Sequence, residues 1–478
     1  MSLCFISNKD LTVVYSDIAR RLKQEGEQIV WLAPSRRWAN WLRAEGWPTD
    51  DVLCVADHSA EWHGLAMDKA RGELAEIEAE APATVSNIIQ MCRNLSRSPP
   101  EFSYAYLAVA RRHVEPFLRE RNVEAVFGEG TWGFELLTWL VSGRLGVPML
   151  TPMSTRIPGD RFYFGDAVTT QLLAVAQATE GDRERARDFL RSWLSRPVQP
   201  AYMRAHGGGY KPFRARWINE LMIGLLRPKL DRGDATLWPL RARIADRTMR
   251  FVNARSIALL SPFMSAPSNE RYVLFPLHHQ PEASIDVYGS LNNNQLALIE
   301  TLSRLLPATH KLWVKEHKGA ISDRSLGWYR RVRSLPNVRL IDPFEDIFGM
   351  IRGADIVVSI TGTAGYEAAL LGVPSLGLAP VFFAPLLTNA PGARNHPLEW
   401  RLRELLAAPR ARTDASSLDP KAVDFLAQLY ANSYVGNPAE LEVPEARRCL
   451  PDHLANEAKA FSNFVAGLRR TRRPDAVG

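Results

Sequence analysis

The chain reads as an α/β protein of two Rossmann-like lobes whose parallel sheets face a cleft, with a helical insertion between them and helices at the C-terminus. Three observations predict this. Short β-rich runs alternate with longer helical patterns in two separate stretches of the sequence. Strands of the second stretch are continuous apolar runs, as expected of strands covered on both faces. The length of 478 residues, 46% of them hydrophobic and 23% charged, also exceeds what one compact α/β lobe accommodates.

The first lobe is predicted over residues 1–180. LCFI from Leu3 is followed by a helix over Val14 to Glu25, QIVWL from Gln28, a helix from Ser35 and VLCV from Val52. A helical stretch from Ala60 to Arg121 leads to the strand EAVF, the segment GEGTWGFELLTWL and a short strand at Pro148 to Leu150. Residues 181–264 turn basic and interrupted, with HGGGY at His206 to Tyr210 and prolines at Pro197, Pro200, Pro212 and Pro228, and read as an insertion. The second lobe, 265–410, begins with YVLF from Tyr272 and a helix over Asn294 to Leu306. It continues through KLWV from Lys311, VRLI from Val338, IVVS from Ile356, a helix from Ala364 and SLGL from Ser375. Residues 411–478 return to helix, with Leu454, Ala458, Phe461, Val465 and Leu468 at helical spacing and a basic end, RRTRRP from Arg469, that reads as a solvated tail or a tether to anionic lipid. Thr131 to Glu135 (TWGFE) echoes Thr363 to Glu367 (TAGYE), each followed by Gly-Val-Pro before a strand, which suggests related lobes.

Composition narrows the function classes. A net charge of +7 and a pI near 9.3 favour anionic partners, yet no nucleic-acid-binding module is recognisable. No apolar run is long enough to span a bilayer and the N-terminus lacks a signal core, so a cytoplasmic protein is expected. Cys4, Cys54, Cys92 and Cys449 lie far apart and read as reduced and structural. The segment from Ala215 to Leu226, with Trp217, Leu221 and Leu225 on one face and basic residues nearby, suits either burial or peripheral contact with the inner membrane.

The chemistry gathers in a few segments. In IVVSITGTAGYEAALLGVP an apolar strand ends at Ser359, a loop of small residues follows, and a helix begins. A helix N-terminus there can direct amides at phosphate oxygens, making Ser359, Thr361, Gly362 and Thr363 donor-site candidates, with Glu367 one turn on for ribose hydroxyls; a turn kept small for packing looks the same. Lys315 and His317, in VKEHKG, follow another strand and suit a diphosphate or phosphodiester. FPLHHQPEASIDVYG brings His278, His279, Gln280, Glu282 and Asp286 close together. Adjacent histidines on an extended chain face opposite ways, so no metal is assigned, and Glu282 becomes the candidate nucleophile with Glu129 facing it from the first lobe as base. Arg156 and Arg161, in STRIPGDRFYF, read either as clamps for an acidic sugar or acceptor or as surface ion-pair residues.

The stretch from Phe275 to Phe383, with HHQPEAS, VKEH, DPF, SITGTAGYEAALLGVP and Phe382-Phe383, resembles the bacterial capsule and surface polysaccharide biosynthesis proteins, a group that includes transferases of the acidic sugar Kdo. GEGTW and RIPGDRFYF extend the resemblance more weakly. It implies a GT-B fold and a metal-independent glycosyltransferase. The nucleotide-sugar donor, a CMP-sugar by preference, would be held by the second lobe with no other cofactor, and a glycan or lipid-linked glycan acceptor by the first. His279 and Gln280 fall among the acceptor or acidic-sugar contacts. In the Kdo transferases an aspartate before Ala-Ser is a covalent nucleophile in a retaining mechanism; here Glu282 stands at that place, one methylene longer, and Lys318 replaces the proline usual after the histidine. A sugar-nucleotide epimerase on the same scaffold and a non-catalytic assembly protein are the alternatives.

Overall fold

The computed structural model describes residues 1–79, 81–198, 235, 240–388, 398–407, 418–436 and 451–472. HGGGY, the segment from Ala215 to Leu226 and Cys449 lie outside these residues. The chain forms two compact units. The first contains Met1–Gln177 and the described residues from Asn432 on, and the second contains 178–198 and 241–431.

The first unit is built on a seven-stranded sheet in the order β12-β6-β5-β4-β1-β2-β3. Its strands are β1 (Ser2–Ile6), β2 (Gln28–Ala33), β3 (Val52–Cys54), β4 (Val123–Phe127), β5 (Met149–Ser154), β6 (Arg161–Asp166) and β12 (Ser433–Val435). β1 is buried throughout and pairs in parallel with β2 and β4, which explains its unbroken apolar run. β6 runs antiparallel to β5, and β12 antiparallel to β6. RFYF is therefore a strand, where the sequence reading placed only a clamp segment; the turn residues Pro158-Gly159-Asp160 before it form the hairpin connection. The helical stretch expected over Ala60 to Arg121 is four helices, Ser59–His63, Met67–Glu78, Val85–Met91 and Pro100–Glu120.

The C-terminal stripe finds its surface on this sheet. Helix Pro451–Thr471 lays Phe461, Phe464, Val465 and Leu468 into the core around Phe5, Phe127 and Phe164. The Phe461 ring centre lies 4.9 Å from that of Phe127 and 4.7 Å from that of Phe164, and Phe464 stacks on Phe164 at 4.2 Å. Its basic end is not a loose tail as far as Arg472. Arg469 binds Glu27 and Glu124, whose hydrogen bonds raise its pKa further, and Arg472 donates to the Glu124 carbonyl at 3.0 Å. These arginines close the helix onto the sheet, and neither the solvated-tail nor the lipid reading applies to them.

The second unit has a five-stranded, wholly parallel sheet in the order β11-β10-β7-β8-β9. It comprises β7 (Tyr272–Pro276), β8 (Lys311–Lys315), β9 (Val338–Ile341), β10 (Ile356–Ser359) and β11 (Ser375–Gly377). Val273, Phe275, Leu312, Val314, Ile356 and Val358 are at the centre of its core. Helix Thr363–Leu370 follows β10; its Tyr366 stacks on Phe383 at 5.1 Å and meets Phe382 edge-on at 5.7 Å. The aromatic pair thus braces the helix whose N-terminus carries the donor-site candidates. Helices Glu180–Ser195 and Pro420–Ala431 pack together in the same unit. Two α/β units, the first with a mixed sheet where a parallel one was expected and the second with a parallel sheet, together with helical additions and C-terminal helices make the plan GT-B-like. Among the described residues, no helix is long and apolar enough to cross a membrane.

Candidate functional site

β10, β7 and β8 lie side by side, so their C-terminal loops gather at one sheet edge. Open α/β sheets bind ligands at such edges. After β10, the Gly362 amide donates to Ser359 Oγ at 2.9 Å, and the Ser359 hydroxyl in turn donates to the Gly362 carbonyl at 3.2 Å. Thr361 Oγ1 donates to the Ser284 carbonyl at 2.7 Å, and the Thr361 amide approaches His278 Nε2 at 3.5 Å. A side chain at Gly362 would meet Ser359 Oγ at 3.0 Å and His278 Cε1 at 3.2 Å, so the small residues let this turn pack against the β7 loop. Gly362 and Thr363 are half-buried, whereas Glu367 is only 2% exposed.

The β7 loop is held from beneath by a buried polar network. Arg324 Nη1 binds both Glu316 oxygens at 2.7 and 2.9 Å, and its Nη2 donates to the His278 carbonyl at 2.6 Å. Tyr329 donates to Glu316 at 2.6 Å, and the His317 amide does so at 2.7 Å. Burial works against the charge on Arg324, but Glu316, Tyr329 and Asp323 together more than offset it, and the guanidinium pKa rises. Gln295 accepts from the His278 amide at 2.8 Å and donates to Gln280 at 3.2 Å. His279 Nδ1 meets Asp323 at 2.5 Å, and Arg250 pairs with the same carboxylate. Asp286 accepts from the Gln280 side chain at 2.7 Å and from the Glu282 amide at 3.1 Å. This leaves the Glu282 side chain exposed, its carboxylate accepting from Ser284 Oγ at 2.9 Å.

His317 Nδ1 accepts from the Gly319 amide at 3.1 Å, which in the neutral ring places the proton on Nε2 as a donor. Its ring lies 6.2 Å from that of His279. Lys315, by contrast, is buried and its Nζ donates to the Pro343 carbonyl at 2.5 Å. Burial, with the charge of Lys318, lowers its pKa to about 8. The fold therefore gives Lys315 a backbone partner within the β8–β9 region.

In the first unit, β1 and β4 are adjacent and their C-terminal loops meet where strand order reverses. Asn8 Nδ2 donates to Glu129 at 3.0 Å and to Thr131 Oγ1 at 3.3 Å, and Trp132 Nε1 donates to Asn8 Oδ1 at 3.2 Å. Lys9 Nζ sits 4.0 Å over the Trp132 ring. One oxygen of Glu135 accepts from the Thr131 amide and hydroxyl at 2.9 Å each and from the Trp132 amide at 3.0 Å; the other is buried with no hydrogen-bond partner among the described residues. Burial, reinforced by the Glu129 charge, raises the Glu135 pKa to about 8. A side chain at Gly130 would come within 2.2 Å of the Ala167 carbonyl, so the loop admits none. Arg161 binds Ser433 of β12, with Nε donating to its hydroxyl at 2.8 Å, and Arg156 is half-buried in a left-handed conformation at φ 62°.

The sequence reading overlooked Asn8, Lys9, Asp323 and the Glu316–Arg324–Tyr329 network. Asn8 could have been found, since it follows an interior strand of its sheet at the edge where ligands bind. The others depend on tertiary contacts between separate elements.

No family model and no curated protein matches the chain. Solved structures resemble it remotely. The beta Kdo 2,7 transferase KpsC of Thermosulfurimonas dismutans is 14% identical, with a TM-score of 0.31 over 68% of this chain and 83% of that one. UDP-GlcNAc 2-epimerase from Methanocaldococcus jannaschii is 11% identical, with a TM-score of 0.24 over 90% of this chain and 99% of that one. A glycosyltransferase from Rickettsia africae is 10% identical, with a TM-score of 0.24 over 98% and 97%.

Proposed function

We propose that the chain is a glycosyltransferase that moves a sugar, an acidic sugar of the Kdo kind by preference, from a nucleotide-activated donor to a surface or capsular polysaccharide acceptor. The observation that carries this reading is the edge of the second sheet. There the N-terminus of helix Thr363–Leu370 is half-buried beside the His278–Glu282 and His317 loops. Helix amides and His317 Nε2–H would meet the donor phosphate, and Glu367 the ribose. Glu282 would serve as nucleophile or oxocarbenium stabiliser and Glu129 as general base, with Arg156 and Arg161 toward the acceptor.

Thermal-shift titration with CMP, UDP, GDP and their common sugars tests the donor, because a ligand at 100 times its Kd stabilises the fold by about 2.7 kcal/mol. Glu367→Ala should abolish that shift. Glu282→Gln should keep it and abolish transfer, while Glu129→Gln should slow transfer by about 100- to 10,000-fold. Normal turnover by Glu282→Gln would refute the mechanism, and conversion of donor without acceptor would make the chain an epimerase.

A further inference from the structure

A second cluster of functional side chains lies in the first unit, apart from the β1 and β4 loops. His58 closes the one-turn segment Val55–His58 after β3, Glu61 lies in helix Ser59–His63, and His113 lies in helix Pro100–Glu120. His58 Nδ1 is 3.0 Å and His113 Nε2 is 2.9 Å from the same oxygen, Glu61 Oε1. The three ligand atoms all lie within 4.8 Å of one another. We propose that His58, Glu61 and His113 form a binding site for a first-row divalent cation of the zinc, cobalt or nickel group.

The donor set and spacing support this. Two imidazoles and one carboxylate suit such ions better than magnesium or calcium, which prefer oxygen. With metal–ligand bonds of about 2.1 Å, neighbouring ligands of an octahedral ion stand about 3.0 Å apart and those of a tetrahedral ion about 3.4 Å. The observed nitrogen–oxygen distances of 3.0 and 2.9 Å match two edges of an octahedral face, leaving the ion's other positions for water. The imidazole rings stack with their centres 3.4 Å apart and planes inclined by 18°, so binding one ion in common requires the rings to turn until both in-plane nitrogen lone pairs point at it.

The surroundings hold this arrangement without occupying it. Trp62, between the ligands in sequence, is buried against Tyr106, with ring centres 5.2 Å apart. Arg36 binds Asp57 at 2.9 Å and Ser59 Oγ at 3.0 Å, tying down both sides of His58. Arg112 approaches the other Glu61 oxygen at 3.5 Å, and Glu73 offsets its charge through contacts of 2.8 and 2.7 Å. Side-chain exposures of 31% for His58, 37% for Glu61 and 26% for His113 give an ion an open approach. A bound cation would link the end of β3 to helix Pro100–Glu120 and stabilise the first unit by mass action.

The test uses the full-length, tag-free chain after chelator treatment, titrated with Zn²⁺ by calorimetry and with Co²⁺ by visible absorption. One equivalent of Co²⁺ should give a d–d spectrum without a thiolate charge-transfer band, and Zn²⁺ should raise Tm. Losing an outer partner of a metal ligand costs about 10- to 100-fold in affinity, so His58→Ala and His113→Ala should each weaken binding by at least that much. His63→Ala, on the same short helix but outside the cluster, should bind as the parent does. Circular dichroism of the metal-free variants confirms that they are folded, and the cobalt spectrum of the unmutated chain is a readout that needs no variant. No binding by the parent chain at millimolar ion, or unchanged binding by a folded His58→Ala/His113→Ala variant, would overturn the proposal.

Discussion

Glu135 makes the first unit sensitive to pH. It is 1% exposed, and its pKa stands near 8 against an ordinary 4.5, chiefly through burial and secondarily through Glu129. In the unfolded chain the proton leaves near 4.5, whereas the folded chain keeps it to about 8. Between these values the folded state binds more protons, so stability falls as pH rises: the contribution is complete below 4.5 and lost by the time pH passes 8. At about 1.36 kcal/mol per pH unit, the gap amounts to about 5 kcal/mol. Glu135→Gln keeps an oxygen for the Thr131 and Trp132 amides and cannot ionise. Its stability relative to the parent should therefore climb by several kcal/mol from pH 5 to pH 9. Urea unfolding followed by tryptophan fluorescence at a series of pH values reads this difference. Parallel curves for the two proteins across that range would mean that Glu135 ionises normally in the fold, and the reasoning would fail.

Lys315 works with the opposite sign. Its pKa of about 8 lies below the ordinary 10.5, so the unfolded state binds more protons between these values and stability should rise with pH there by up to about 3 kcal/mol. Lys315→Met should remove that rise in urea titrations while leaving nucleotide-induced thermal shifts unchanged, as expected if the amine serves Pro343. Arg324→Ala leaves the buried Glu316 without its partner and should cost about 3 to 5 kcal/mol by chemical denaturation. Gly130→Ala forces a methyl group against the Ala167 carbonyl and should cost about 1 to 3 kcal/mol, with a matching loss of Tm.

The fold was legible because its strands are buried on both faces. LCFI, IVVS and YVLF carry no alternation, and the structure places β1, β10 and β7 inside their sheets with neighbours on either side. The missed pieces obey other rules. β6 begins with an arginine beside a Pro-Gly-Asp turn, and its partner β12 lies 267 positions after Asp166, counting to Ser433, so pairing depended on a contact local reading cannot see. The C-terminal helix announced an apolar face but not its surface, since a helical period states what must be covered and not by what. Lys315 and Arg161 show the same limit at the level of sites. Lys315 ends β8 and Arg161 begins β6; the Pro343 carbonyl and Ser433 engage them, and only tertiary structure reveals those partners.

The echo between TWGFE and TAGYE shows how one pattern can sit in two different polar settings. In the first unit Glu135 turns back on its own loop and takes the amides of Thr131 and Trp132, so the donors that would face an anion are already satisfied by a carboxylate of the same helix. In the second unit Glu367 is buried one turn in, the Gly362 amide donates to a serine hydroxyl, and the Thr361 amide approaches His278 at 3.5 Å. The shared Thr-x-Gly-x-Glu spacing aligns Thr131 with Thr363 and Trp132 with Ala364, so the Gly362 and Thr361 contacts precede the motif. The difference between the two loops originates outside the motif, in the His278 and Ser284 contacts of Thr361 and in the Asn8 contacts of Thr131 and Trp132.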